Sequence, residues 1–174
     1  METITALELA TYSTIGATIV ALLAFFTSIW SAMTQRKHNR LSVRPLPEVQ
    51  LRDMDGHIRI QLRNNGTGPL IIDTFRVGSG ENKGGKTLIE LMPQNESNWT
   101  FFVHNIDGRS IRPNGEIILL ELEYDHNNGA ELAFANSTRA ILCKLEIVVN
   151  YKSVYNDKLP QYDKSLSWFG RLIS

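Results

Sequence analysis

One cysteine, Cys143, stands in 174 residues. That shortage excludes an intramolecular disulfide and any cysteine-rich metal site, and it fits a reducing compartment. Net charge is lacking as well, because 18 lysines and arginines balance 18 aspartates and glutamates. No overall field advertises a nucleic-acid partner. The four histidines (His38, His57, His104 and His126) are far apart, and no two share the i, i+4 spacing of a helical metal site. No serine sits in a nucleophile-elbow context. The expectation is a non-enzymatic protein with no catalytic residue, no bound metal and no cofactor; nothing in the residues calls for a small-molecule ligand. The most informative shortage is local: no lysine or arginine precedes Arg36, and residues 1–35 carry only Glu2 and Glu8 as charges.

Between Glu8 and Arg36 the chain reads "TIGATIVALLAFFTSIWSAM" at its centre. About 20 such residues cross a hydrocarbon layer of about 30 Å, so a transmembrane helix is expected over roughly 10–33. Thr14, Thr18, Thr27 and Ser28 lower its hydropathy but can bond back to helix carbonyls. A cleaved signal peptide fits badly, since the leading segment is acidic where a basic one is needed. Trp30 sits near the basic end, where an indole prefers the membrane interface. Arg36, Lys37, Arg40 and Arg44 follow at once. By the positive-inside rule the C-terminal part is cytoplasmic and the N-terminus outside. The same cations suit anionic headgroups, so membrane lipid is an expected partner. Ser13, Ala17 and Ala21 recur every four residues, as do Gly16, Val20, Ala24 and Ser28. Small residues at that spacing let helices approach, which makes a homo-oligomer through this helix an expectation.

The expected organisation is a tail and helix in 1–35, a basic juxtamembrane linker in 36–44 and a β-domain in 45–174. Beyond Leu41 the dominant period is two. Ile58, Ile60 and Leu62 alternate with Arg59, Gln61 and Arg63. "GPLIIDTFRVG" and "NWTFFVH" read as further strands. "GEIILLELEYD" places Ile118, Leu120, Leu122 and Tyr124 on one side, and "AILCKLEIVVNY" alternates from Ile141 to Tyr151 with Cys143 as a small buried hydrophobe. A short "AELAF" and a terminal "LPQYDKSLSWF" complete seven to nine strands. "DMDG", "NNGTGP", "RPNGE" and "HNNGA" supply the turns. No helical period is sustained after residue 40, apart from a turn or two at "KTLIELM". The class is mainly β, an antiparallel sandwich after one membrane helix, with a small barrel as the other possibility.

Residues 80–87, "GENKGGKT", match the phosphate-loop pattern G-x-x-x-x-G-K-[ST]. That loop works only where a strand feeds a glycine loop and then a helix whose N-terminus faces the phosphates. Pro93 follows Thr87 within six residues, too soon for a crossover helix. A glycine hairpin is expected, with Lys83 and Lys86 as candidate contact residues for a partner or ligand. Sequons at Asn65, Asn95, Asn98 and Asn136 read as turn asparagines. Among the C-terminal aromatics, Tyr151 and Trp168 suit packing, and Tyr155, in "SVYNDKLP", suits an exposed contact.

"RIQLRNNGTGPLII", with its turn from Asn64 to Pro69, together with "IRPNGEIILLELEY" and "LEIVVNYKSVYNDKLP", resembles the immunoglobulin-like sandwich domains of bacterial single-pass membrane proteins. The resemblance covers most of residues 41–168 and implies the fold rather than a chemistry. The leading expectation is a membrane-anchored interaction module of the bacterial inner membrane, whose cytoplasmic sandwich binds a partner protein or itself. Sandwiches bind through loops and exposed edges, so the 78–86 loop and the 151–160 hairpin are the candidate contact regions. The other function expected is a small membrane effector of an antiphage or stress system. There the β-domain senses a ligand such as a nucleotide second messenger, and clustered helices disrupt the membrane.

Overall fold

The computed structural model describes residues 2–80, 82–93 and 99–172. Two compact units divide the chain, one ending at Ser42 and the other starting at Val43. The first is a single helix, α1 (Glu2–Ser42), of 41 residues. At 1.5 Å per residue it runs roughly 60 Å. Leu7–Ser42 is long and apolar enough to cross a membrane by length and composition, and none of its most apolar window is buried. Thr14 and Thr18 donate their hydroxyls to carbonyls one turn back, at 2.8 Å each, and Thr27 does the same. Those bonds lower the cost of hydroxyls in an apolar span. The helix continues through Arg36, Lys37 and Arg40, straight-chain residues that suit a helix interior.

The second unit holds two open antiparallel sheets. One runs β1 (Pro47–Met54), β2 (His57–Asn64), β7 (Glu116–Glu123), β5 (Phe101–Phe102) in spatial order. The other runs β4 (Asn82–Gly85), β3 (Leu70–Ser79), β8 (Glu146–Lys152), β9 (Tyr162–Ser165), and β6 (Ser110–Ile111) also pairs with β3. Neither sheet closes on itself, so the barrel possibility falls and the architecture is sandwich-like. Alternation fills the core as expected: Ile58, Ile60 and Leu62 from β2 are buried together with Ile72, Val77, Ile147 and Val149 from the second sheet.

Three expectations need correction. "AELAF" and the first part of "AILCKLEIVVNY" are not strands; they form α2 (Gly129–Leu142), a 14-residue helix capped by the Asn128 side chain, which accepts from the Ala130 N–H at 3.1 Å. Its buried residues are Ala135, Thr138, Arg139 and Leu142, the 3, 1, 3 spacing of one helical face. Two of those four are polar, which hid the stripe from a hydrophobicity pattern. Cys143 is accordingly the helix C-cap and half-buried, not a strand residue. Second, β7 carries a bulge opposite Ile60/Gln61. Leu119 is the extra residue, so Ile117 faces Leu62 and Ile118 faces Gln61. The dry face therefore switches from Leu120 and Leu122 to Ile117, not to Ile118. Third, Trp168 is 40% exposed, and its neighbour Phe169 is the buried ring.

The turns follow local chemistry with one difference. Gly56 (φ 77°) and Asn114 (φ 56°) take the left-handed conformation at "DMDG" and "RPNGE". In "NNGTGP" the glycines serve close approach instead. A Cβ on Gly68 would overlap the Val43 carbonyl, and one on Gly66 would lie 2.6 Å from the Leu46 nitrogen. Asn64, fully buried, organises this corner by donating to the Gly68 and Ile111 carbonyls at 2.8 and 3.1 Å.

Candidate functional site

The polar face of the first sheet gathers charge around Glu121. This residue is buried on β7 and pairs across to Arg59 on β2. Its Oε1 accepts from Arg59 Nε at 2.7 Å and also from Arg59 Nη2, and it lies 2.8 Å from His57 Nε2. Burial pushes the Glu121 carboxyl up, but the hydrogen bonds from His57 and Arg59 outweigh it and hold the group below its ordinary value. His57, Glu121 and Glu123 are close enough for their ligand atoms to share a cation. Arg59 already neutralises Glu121, however, and a cation would have to displace it. The cluster is explained as a cross-strand ion pair.

A second cluster fastens α2 to the sandwich. Asp53 on β1 is fully buried at its side chain and meets Arg139, which is 6% exposed. Arg139 donates through Nη2 to Asp53 Oδ1 at 2.8 Å and through Nε to Oδ2 at 3.0 Å. Nη2 also reaches the Tyr124 hydroxyl at 2.7 Å, and Nη1 reaches Asn136 Oδ1 at 2.8 Å. The bond to Asp53 is the main cause that raises the guanidinium above its ordinary value, against the opposing cost of burial. Sequence spacing gave no sign of this site, whose partners stand 86 residues apart.

The phosphate-loop segment forms a hairpin. Ser79 pairs with Asn82 and Val77 with Gly85, antiparallel. After it comes only a three-residue 3-10 turn, Ile89–Leu91. The Lys86 backbone N–H donates to Glu90 Oε2 at 3.0 Å. A loop that cradles phosphate against a helix N-terminus needs a geometry this hairpin does not have. Lys83 lies in β4, with its side chain outside the described residues, and Lys86 is exposed. Tyr155 is 46% exposed beside Val154 at the tip of a turn closed by the Asn156 N–H donating to the Ser153 carbonyl at 3.0 Å. Lys83 lies in β4 and Lys86 directly follows that strand, whereas Tyr155 belongs to a separate loop after β8.

Ser13, Gly16, Ala17, Ala21, Ala24 and Ser28 are all exposed on α1, as are Trp30, Arg36, Lys37 and Arg40; Arg44 is exposed in the second unit. Asn65 lies in a turn, Asn136 lies within α2, and Asn95 and Asn98 fall outside the described residues.

A groove of about 700 Å³ lies where β1, the edge of the first sheet, meets β9, the edge of the second. Edges of two different sheets meet only in the folded chain, so no sequence motif announces the groove. No protein-family model matches this sequence, and no curated protein matches it.

Proposed function

We propose that this protein is a single-pass membrane-anchored interaction module that carries out no catalysis, with an immunoglobulin-like sandwich as its binding part. The observation that carries the reading is α1: an apolar helix long enough to span a membrane, with exposed Leu22, Phe25, Phe26 and Trp30, joined to a unit that has its own core. Water would leave that surface unsatisfied, whereas lipid is its natural solvent. Arg36, Lys37 and Arg40 favour a bacterial inner-membrane orientation with the sandwich in the cytoplasm. The polar clusters of the sandwich support a binding role over a chemical one, since Glu121 and Arg139 are each committed to structural partners.

Membrane fractionation tests the anchor. The full chain is expected to stay in the pellet after alkaline carbonate extraction and to enter the supernatant only with detergent. Release by carbonate alone refutes it. A membrane-potential dye during overexpression separates the adaptor from an effector that permeabilises the bilayer: an unchanged potential fits the adaptor, and depolarisation favours the effector.

A further inference from the structure

The backbone of β1 shows which of its groups face outward. The Leu46 carbonyl accepts from the Asn65 N–H at 2.8 Å, so even-numbered residues of β1 direct their peptide groups at β2. Odd-numbered ones point away. Val49 confirms this, donating its N–H to the Tyr162 hydroxyl at 3.0 Å, and so does Asp53, whose carbonyl accepts from Arg171 Nη2 at 3.4 Å. Leu51 lies between these two ties. Its N–H and C=O face the groove and have no protein partner among the described residues. On the opposite wall, Leu166 donates to the Leu145 carbonyl at 2.9 Å, which by the same alternation turns the peptide groups of Asp163 and Ser165 outward.

Tyr162 crosses from β9 to β1, its hydroxyl accepting from the Val49 N–H at 3.0 Å. Between the ties, Val49 to Asp53 spans about 13 Å of extended chain. One further group points to an occupant. Gln61 lines the groove and is 7% exposed. It spends its amide protons on Gln50 Oε1 at 2.8 Å and Glu116 Oε2 at 3.1 Å, which fixes the orientation of the amide. Its Oε1 is buried with no partner. A buried acceptor left unpaired costs stability, and a ligand that supplies a donor recovers it.

We propose that the groove receives three to four residues of an extended peptide segment from a partner protein. Its main chain pairs with Leu51, and a long donor side chain, lysine, arginine or glutamine, bonds to Gln61 Oε1. Trp168 closes one wall, held by Arg171 stacked 3.1 Å from its ring centre. Main-chain pairing supplies affinity in this mode, and the side-chain contact supplies selectivity. The proposal deepens the interaction-module reading by naming the binding edge and the class of partner.

The probe is a library of random seven-residue peptides displayed on phage, selected on the full-length protein in detergent micelles. Recovered peptides are expected to slow hydrogen exchange at the Leu51 amide. Binding is expected to fall about tenfold in Leu51→Pro, which removes one outward N–H from an edge strand without touching the β2 ladder. An empty selection overturns the proposal, as do peptides that bind while Leu51 exchange is unchanged. If Leu51→Pro does not fold, the exchange measurement on the unaltered chain decides alone. Membrane extraction reads the anchor independently, so a failed groove and a failed anchor are distinguishable.

Discussion

Replacing Asp53 with asparagine tests how α2 is held. The substitution keeps the side-chain shape and removes the charge that faces Arg139. In the native chain both partners are buried, at 0% and 6% side-chain exposure. Bonds of 2.8 and 3.0 Å join them, and Tyr124 and Asn136 take further guanidinium protons. Asparagine would leave a cation in the interior with its neutral acceptors but no counter-charge. Breaking such a pair on one side costs about 3–5 kcal/mol. Against a total of about 5–15 kcal/mol for an ordinary domain, that is a large share. The expected fall in Tm is roughly 10–20 °C for a domain of this size. Near-ultraviolet circular dichroism of the full chain in micelles follows the sandwich, because α1 contributes little to loss of tertiary packing there. The double variant Asp53→Leu with Arg139→Met is expected to recover much of the loss, since an apolar pair can replace a buried ion pair at small cost. A single variant within about 1 kcal/mol of the native chain would refute the reasoning, because a stranded interior charge cannot be that cheap.

Other outcomes follow from the same geometry. Glu121 titrates below its ordinary 4.5 in the folded chain, and Asp107, bonded to the Phe75 N–H and to Arg76, titrates below 3.8. Their stabilisation is fully present above those ordinary values and is lost as pH falls through the folded ones. An acid-unfolding series should therefore show stability declining below about pH 4.5, with a shallower slope in Glu121→Gln. Gly68→Ala should destabilise by roughly 1–3 kcal/mol in denaturant titrations, because the new methyl overlaps the Val43 carbonyl. Asn128→Ala should cost about 1 kcal/mol by removing the cap of α2, measured the same way. Crosslinking in vesicles should fall in Ala17→Leu with Ala21→Leu if the small-residue face of α1 brings helices together; unchanged crosslinking removes that idea.

Sequence carried the fold a long way where one physical pattern dominated. The apolar run before Arg36 is long enough to cross a membrane as a helix, and the alternation of β2 and β3 names their buried faces. It failed where two signals conflicted. In 129–142 the helical stripe includes Thr138 and Arg139, so an apolar-period reading passes over it and is drawn instead to the β-branched run further on. Arg139 is acceptable there only because Asp53, distant in the chain, neutralises it. The bulge at Leu119 misled in a similar way, since one extra residue reverses which neighbours face inward.

The candidate site was less legible still. Lys86 and Tyr155 were legible as exposed residues, but the groove, which neither of them lines, is built from main-chain groups and from Gln61, which carry no motif. By itself the sequence determined what depends on neighbours a few positions away: the long apolar helix, the dry face of β2 and the places where most turns fall. Tertiary structure alone decided partnership. Whether Arg139 could be buried, whether Gly66 and Gly68 were needed and where Leu51 was left unpaired all depend on groups brought together by folding. Local spacing cannot encode the charge or the free volume that those distant groups supply.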